Sequence, residues 1–423
     1  MKIGIVGGGI TGLVAADELT KKGHRVLLFE AKDCLGGLAR SFQKQNWQWP
    51  LEVFFHHFFS GDNEVKKLIR DLGLKDKLFY KKPKTSVYFQ GSIYQFDSPG
   101  SILKFPHLSW TDKAKMGSSI FFLRSLPFLP IFEEFSAVDI FPKLIGSSAW
   151  ETIWQPLIEG KFGDLSNEVS FSWLWARLKK RSQRLGYLAG GCEQIITALE
   201  KRIKKSAGKI LLGSRVLEVN RRRGGWELRT AGKNYLVKKI ILALPFPAAV
   251  DLVKPHVSEE KLRTWQKLKS IGALTMILRL KRKFLPGDTY WLNILEREFP
   301  FIVLVEHTNF VEPGHYGGEF LVYVGGYYPS NNSIFNWNKK RVLNHFAPYL
   351  RRINPSFEKF LIDSEVFSSL LAQPIIPKNY SRISPSFELL SGEIYWATAN
   401  HIYPWDRGVN FAIKSAKKLA GLV

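Results

Sequence analysis

Three glycines, Gly7, Gly9 and Gly12, have the spacing Gly-x-Gly-x-x-Gly, and an acid, Glu30, follows. That pattern is suited to holding a dinucleotide, with the acid about 20 residues beyond the glycines. Gly7 permits a tight turn, Gly9 lets the backbone approach a pyrophosphate, and Gly12 lets a helix pack closely on a strand. Glu30 accepts hydrogen bonds from a ribose. A second pair, Gly36 and Gly37, again brings backbone N–H groups within reach of phosphate. Arg40, three residues later, offers a planar fork to an oxyanion or to the edge of a bound ring. No Ser/His/Asp set, metal-ligand cluster or carboxylate pair stands out. The hard chemistry therefore falls to a bound cofactor, which the protein binds, orients and tunes.

These residues work only if the right elements hold them. An apolar segment at 2–6 reads as a buried strand running into the glycine turn. Leu13, Ala16 and Leu19 share one face of a following helix. Arg25–Phe29 reads as a second buried strand, ended by Glu30. The helix N-terminus presents unpaired N–H groups and partial positive charge to a pyrophosphate. A plain glycine-rich turn in an α/β core would leave Glu30 without a role.

A chain of 423 residues with 45% hydrophobic content can bury two large domains or an interleaved pair. There are two cysteines, Cys34 and Cys192, with no paired spacing. With no signal-like segment before the first strand, the expectation is a cytoplasmic protein. No apolar run reaches the roughly 18 residues of a membrane span. The net charge of +24 is spread in short basic runs such as Lys179, Lys180 and Arg181. No nucleic-acid module accompanies them, which argues against a nucleic-acid partner and for solubility or an anionic membrane surface.

The fingerprint followed by Gly36, Gly37 and Arg40 resembles the motif pair of FAD enzymes in the flavin amine oxidase superfamily. That group includes protoporphyrinogen oxidases, phytoene desaturases and monoamine oxidases. The resemblance implies FAD rather than NAD. It implies an α/β fold: a discontinuous, Rossmann-like FAD domain of the glutathione reductase type, with an inserted α+β substrate domain. The expected FAD pieces are 1–60, 185–255 and 386–423; the substrate domain takes 61–184 and 256–385. The second piece opens at Gly190 and Gly191, runs through a helix and strands, and carries Val216, whose counterpart meets the adenine through its backbone. In the third, a strand and loop lead to a helix at Gly408, Val409 and Asn410. Its N–H groups there stabilise negative charge on a reduced ring. FAD contacts are thus implied at Gly7, Gly9, Ile10, Thr11, Gly12, Glu30, Ala31, Gly36, Gly37, Leu38, Arg40, Val216, Asn400, Asp406, Gly408, Val409 and Asn410. Asn400 departs from the family's commoner Gly-Asp pair. Neither cysteine suits a covalent flavin link.

On the substrate side, Glu159, Gly160, Lys161, Phe162 and Gly163 resemble a segment that enters the active site of protoporphyrinogen oxidase-like proteins. Lys161 is the catalytic candidate; the alternative is a solvated lysine at a helix end with a glycine stop. His56 is the second candidate, near the expected acid Glu52. It and His57 face opposite ways if they lie in a strand, and one of them is then structural. The apolar segment 120–132 reads as buried core, with a monotopic membrane patch, on the inner face of the membrane, as the alternative. The implied reaction takes hydride from a C–H bond of an apolar or amphipathic small molecule to flavin N5, with oxygen or a quinone as acceptor. Two rivals stay open. One resembles UDP-galactopyranose mutase, in which reduced flavin attacks a nucleotide sugar. The other is a non-catalytic, FAD-stabilised membrane- or partner-binding protein.

Overall fold

The computed structural model describes all residues, 1–423. Its first sheet has six strands. In order they are Gly208–Leu211, Arg25–Phe29, Lys2–Val6, Lys239–Leu242, Ile394–Trp396 and Glu388–Leu390. The first five run parallel and the last is antiparallel. Strands buried on both faces read as continuous apolar runs, as the inner strands Lys2–Val6, Lys239–Leu242 and Ile394–Trp396 largely do. One face is covered by the helices Ile10–Lys21, Glu193–Lys205 and Val409–Leu422. The other carries an antiparallel meander, Val216–Arg222, Gly225–Thr230 and Asn234–Val237. Chain segments far apart in sequence thus build one nucleotide-type domain.

A seven-stranded sheet forms the second unit. Its long strands Leu361–Pro374, Ser270–Leu280 and Phe320–Tyr328 pair antiparallel. The helix Lys339–Ile353 covers one side with Val342, Phe346 and Leu350. A separate helical layer, including Trp110–Ser125, Ala137–Ile145, Gln155–Phe162 and Phe171–Lys180, closes around its own aromatic-rich core.

The domain borders differ from the sequence expectation in two places. The helix Asn63–Asp71, expected in the substrate domain, buries Val65, Leu68 and Ile69 in the core of the first unit. The next strand, Leu78–Lys81, pairs with Leu185–Leu188. Beyond residue 255, the helix Glu259–Trp265 sends Leu262 and Trp265 into the core around Trp396. Both segments are amphipathic, and apolar partners such as Ile413 for the first and Trp396 for the second lie more than a hundred residues away, where local pattern carries no information. The segment 120–132 splits between its two readings. Leu123 and Phe132 are core, while Phe121 and Phe122 are 78% and 60% exposed.

Candidate functional site

The glycine turn is sterically closed except where a ligand would lie. Gly7 has φ +109°, and a Cβ on it would sit 2.2 Å from the Ala243 carbonyl oxygen. A Cβ on Gly12 would sit 1.9 Å from the Gly7 carbonyl oxygen. Around Gly9, by contrast, the nearest atom is the Gly37 Cα at 3.9 Å. The Gly36 N–H donates to the Gly8 carbonyl at 2.9 Å, and Gly9 and Gly36 form a parallel bridge. The two glycine motifs, separate in sequence, are therefore one cradle.

Glu30 Oε2 accepts from the Gly8 N–H at 2.7 Å, and Oε1 from the Lys32 N–H at 2.9 Å. Each oxygen retains acceptor capacity for a ribose hydroxyl. Arg40 donates to the Gly37 carbonyl at 3.1 Å, holding the second turn. Ile10 is buried, Thr11 and Leu38 are half-buried, and Ala31 is exposed. Val216 is buried beside a register shift in the meander. Asn400 is buried, and its Nδ2 finds no acceptor in the protein. An orphaned buried donor of this kind calls for a ligand. Gly408 stands before the helix Val409–Leu422, with open space where its Cβ would be and no side chain capping the helix. The first-turn N–H groups of Val409 and Asn410 lack intrahelical acceptors and favour negative charge in front of them. The donor set fits FAD: the cradle would hold its phosphates, Glu30 a ribose, and the helix start at Gly408 the ring end.

Asn410 also has a task that its sequence position did not reveal. Its Oδ1 accepts from the Glu64 and Val65 N–H groups at 2.9 and 3.3 Å, capping the helix Asn63–Asp71. Asp62, the residue that would cap that helix, turns back to the Phe59 N–H instead.

In the loop just before Gly408 lies a charged cluster centred on Asp406. Expected among the cofactor contacts, Asp406 instead accepts from Arg177 Nη1 (2.7 Å), Gln373 Nε2 (3.1 Å), Trp173 Nε1 (3.3 Å) and the Arg407 N–H (3.0 Å). Lys161 Nζ stands 3.5 Å from its Oδ2. Lys161 is 6% exposed, which removes the reading of a solvated helix end. Its ammonium lies 4.7, 5.4 and 5.5 Å from the ring centres of Trp173, Phe162 and Tyr327. Burial pushes the Lys161 pKa well down, opposed by Asp406 and assisted by Arg177 and Arg407. For Asp406, burial pushes upward, but Lys161, Arg177 and Arg407 overcome it and hold the carboxyl well below its usual range. Arg407 reaches back to the second sheet, donating to Gln373 Oε1 and the Tyr327 hydroxyl, each at 3.0 Å.

His56 and His57 lie in a loop, not a strand. His56 Nδ1 donates to the Phe54 carbonyl at 2.7 Å, and burial lowers its pKa, leaving a neutral ring with Nε2 free to accept. Burial and the Arg181 charge push His57 down to about 3. Glu52 is a structural acid: it accepts from the Tyr187 hydroxyl and the Cys192 N–H, both at 2.7 Å, fixing the turn at Gly190 and Gly191.

Sequence reasoning missed Arg177, Arg181, Gln373 and Arg407 as site residues and left Lys179–Arg181 as a surface charge run. A usable signal was present. Trp173 and Arg177 are four residues apart, which places them on one face of the helix Phe171–Lys180.

A family model described as flavin containing amine oxidoreductase matches residues 10–420. A 15-cis-phytoene desaturase of Solanum lycopersicum is 23% identical over 319 residues, 66% of this chain and 52% of that protein. One of Arabidopsis thaliana is 35% identical over 104 residues, 23% of this chain and 18% of that protein. The chain spans from about a fifth to about half the length of these curated relatives. Among solved structures, a putative protoporphyrinogen oxidase from Exiguobacterium sp. 255-15 superposes with TM-score 0.79 at 18% identity, covering 99% of this chain and 98% of that one. Reduced UDP-galactopyranose mutase gives 0.77 at 16% identity, covering 100% and 96%.

Proposed function

The chain belongs to the flavin containing amine oxidoreductase family, and we propose that it is an FAD-dependent oxidoreductase taking hydride from a C–H bond of an apolar or amphipathic small molecule. One observation carries the reading: a buried lysine–carboxylate pair, boxed by aromatic rings, where the loop before Gly408 meets the second sheet. When bound, FAD supplies the two-electron acceptor at N5, with oxygen or a quinone removing the electrons afterwards. The rest is done by side chains. Trp173, Tyr327 and Phe162 exclude water. Asp406 fixes Lys161 in place. As a C–H bond becomes part of a C=C or C=N bond, a proton must also leave the substrate. Lys161, with its depressed pKa, and His56 Nε2 are the groups suited to take it.

The test is anaerobic bleaching of the bound flavin by porphyrinogens, carotenoid precursors, amines and nucleotide sugars in turn. Rapid bleaching by one class supports the reading and names the class. FAD that dithionite reduces but none of these donors bleaches would return the chain to a binding role. A second reading has one observation in its favour, the arginines Arg177, Arg181 and Arg407, which suit a diphosphate. Rearrangement of a nucleotide sugar with no net change in flavin oxidation state would establish it in place of the first.

Peripheral membrane contact belongs to the same proposal. All the exposed large aromatics, Trp110, Phe121, Phe122 and Phe135, lie on or just beyond the helix Trp110–Ser125. Lys104, Lys115 and Arg124 are exposed among them, a combination suited to anionic bilayer surfaces. No helix is long and apolar enough to cross a membrane. The protein should float with phosphatidylglycerol vesicles, and the F121S/F122S double variant should not.

A further inference from the structure

We infer that Arg177 is a positioning residue for the reaction: by holding Asp406 Oδ2 it keeps the Lys161 amine from closing on that carboxylate and leaves the amine free to take the substrate's proton. The inference rests on the FAD-oxidoreductase reading with Lys161 as proton acceptor, and adds the group that sets the lysine's charge state.

The two oxygens of Asp406 have different surroundings. Oδ1 accepts from Gln373 Nε2 at 3.1 Å, Trp173 Nε1 at 3.3 Å and the Arg407 N–H at 3.0 Å. Those donors come from a strand, a helix and the loop itself, so the carboxylate is fixed from three sides. Oδ2 faces two cations. Arg177 Nη1 donates to it at 2.7 Å, the length of a charge-assisted bond. Lys161 Nζ stands back at 3.5 Å, longer than an ordinary N–H···O bond. Arg177 has taken the oxygen, and Lys161 has not.

Nothing else near the amine competes for that carboxylate. The charged and titratable groups facing it are Asp406, Arg177, Arg407 and Tyr327. The Arg407 guanidinium turns away, donating to Gln373 Oε1 and the Tyr327 hydroxyl. Phe162, Trp173 and Tyr327 supply aromatic surface around the ammonium. Trp173 frames both cations. The Arg177 guanidinium lies 5.5 Å from its ring centre and the Lys161 ammonium 4.7 Å, while its indole N–H pins Oδ1. Within that frame, a movement of about 0.7 Å would turn the lysine–carboxylate pair into a charge-assisted hydrogen bond.

Removing Arg177 has two consequences of one sign. Oδ2 loses its donor and can draw Lys161 in, and the repulsion between the two cations disappears. Each favours the ammonium over the amine. In the unaltered protein, burial, assisted by Arg177 and Arg407, outweighs Asp406 and holds Lys161 well below its ordinary pKa. The Arg177 side chain is 33% exposed, so replacing it opens no large cavity.

The experiment uses the FAD-loaded protein with its lysines isotope-labelled at Cε, and follows their NMR signals against pH. The Lys161 signal is the one that Lys161→Met removes. In the unaltered protein it should titrate well below the surface lysines. In Arg177→Met its midpoint should move up towards theirs, with FAD content unchanged. With a donor that bleaches the flavin, reduction at pH below both midpoints should slow at least about tenfold, the shift in amine population that one charge-assisted hydrogen bond brings. At pH above both midpoints the rate should recover. A Lys161 signal that titrates with the surface lysines in the unaltered protein overturns the inference, whichever variants fold. So does an unmoved or lowered midpoint in Arg177→Met, or in Arg177→Gln if the first does not fold. A loss of rate that is equal at every pH also overturns it, assigning Arg177 a purely structural part. Asp406→Asn separates holding from bare repulsion. In that background Arg177→Met should move the midpoint less than half as far, and an equal displacement overturns the inference. Failure of the underlying reading looks different: the midpoint depends on Arg177 as expected, yet no donor bleaches the flavin.

Discussion

The cradle around Gly9 is made of backbone, held by glycines contributed by residues 7–12 and 36–37. The cluster around Asp406 is made of side chains from two helices, two strands and a loop. The first, as proposed, would meet phosphate with N–H groups that cannot move without breaking the fold. The second would act through charged groups that can be exchanged one at a time. Changes in the cradle should therefore remove the cofactor, and changes in the cluster should leave it bound and idle.

The largest effect should come from Gly12→Val. Its Cβ meets the Gly7 carbonyl oxygen at 1.9 Å, so the turn cannot close. Flavin measured per mole of purified protein should fall to near zero. Gly9→Ala, with the nearest atom 3.9 Å away, should lose less. If Gly12→Val kept a full complement of FAD, the contrast between the two regions would collapse.

Lys161→Met should do the opposite: full FAD content, with flavin reduction slowed about a hundredfold, the scale of a lost general base. The pH profile sharpens this. The Lys161 pKa lies well below that of an ordinary lysine, and only the neutral amine takes a proton. The unaltered protein should thus speed up as pH rises through that pKa, and the variant should lack the rise. An identical profile in both would remove Lys161 from proton transfer.

Glu30→Ala should give the smallest change. It removes one charge-assisted acceptor, about 2 kcal/mol, and should weaken FAD binding about thirtyfold in a folded protein. Equal FAD affinity would show that the ribose is held elsewhere.

The same contrast explains what could be read in the sequence. Gly7, Gly9, Gly12, Gly36 and Gly37 were legible because steric demands on a backbone are local: the residue types announce the turn. Lys161 stood out through the family resemblance of its segment and the glycines around it. Arg407 and Gln373 did not stand out, because a loop residue and a strand residue meet only in the fold. Arg177 was overlooked, although its spacing from Trp173 marked a shared helix face. The helix Asn63–Asp71 was assigned to the wrong unit for a related reason. Its amphipathic pattern states that it has a buried face, not what lies against it. Phe121 and Phe122 followed a general tendency of apolar runs towards the core, which two neighbouring buried residues, Leu123 and Phe132, obey and they do not.

Asn410 joins two equilibria. Its backbone lies at the start of the helix Val409–Leu422, proposed to face the cofactor's ring, while its carboxamide closes the first turn of Asn63–Asp71. A ligand that binds only the closed arrangement makes every local opening of that arrangement rarer, by mass action. Loading with FAD should therefore slow proteolysis at exposed Gly61, just outside the capped turn. Asn410→Ala should leave that cleavage rate indifferent to FAD. The occupancy of the cofactor site would then be readable from the loop at Gly61.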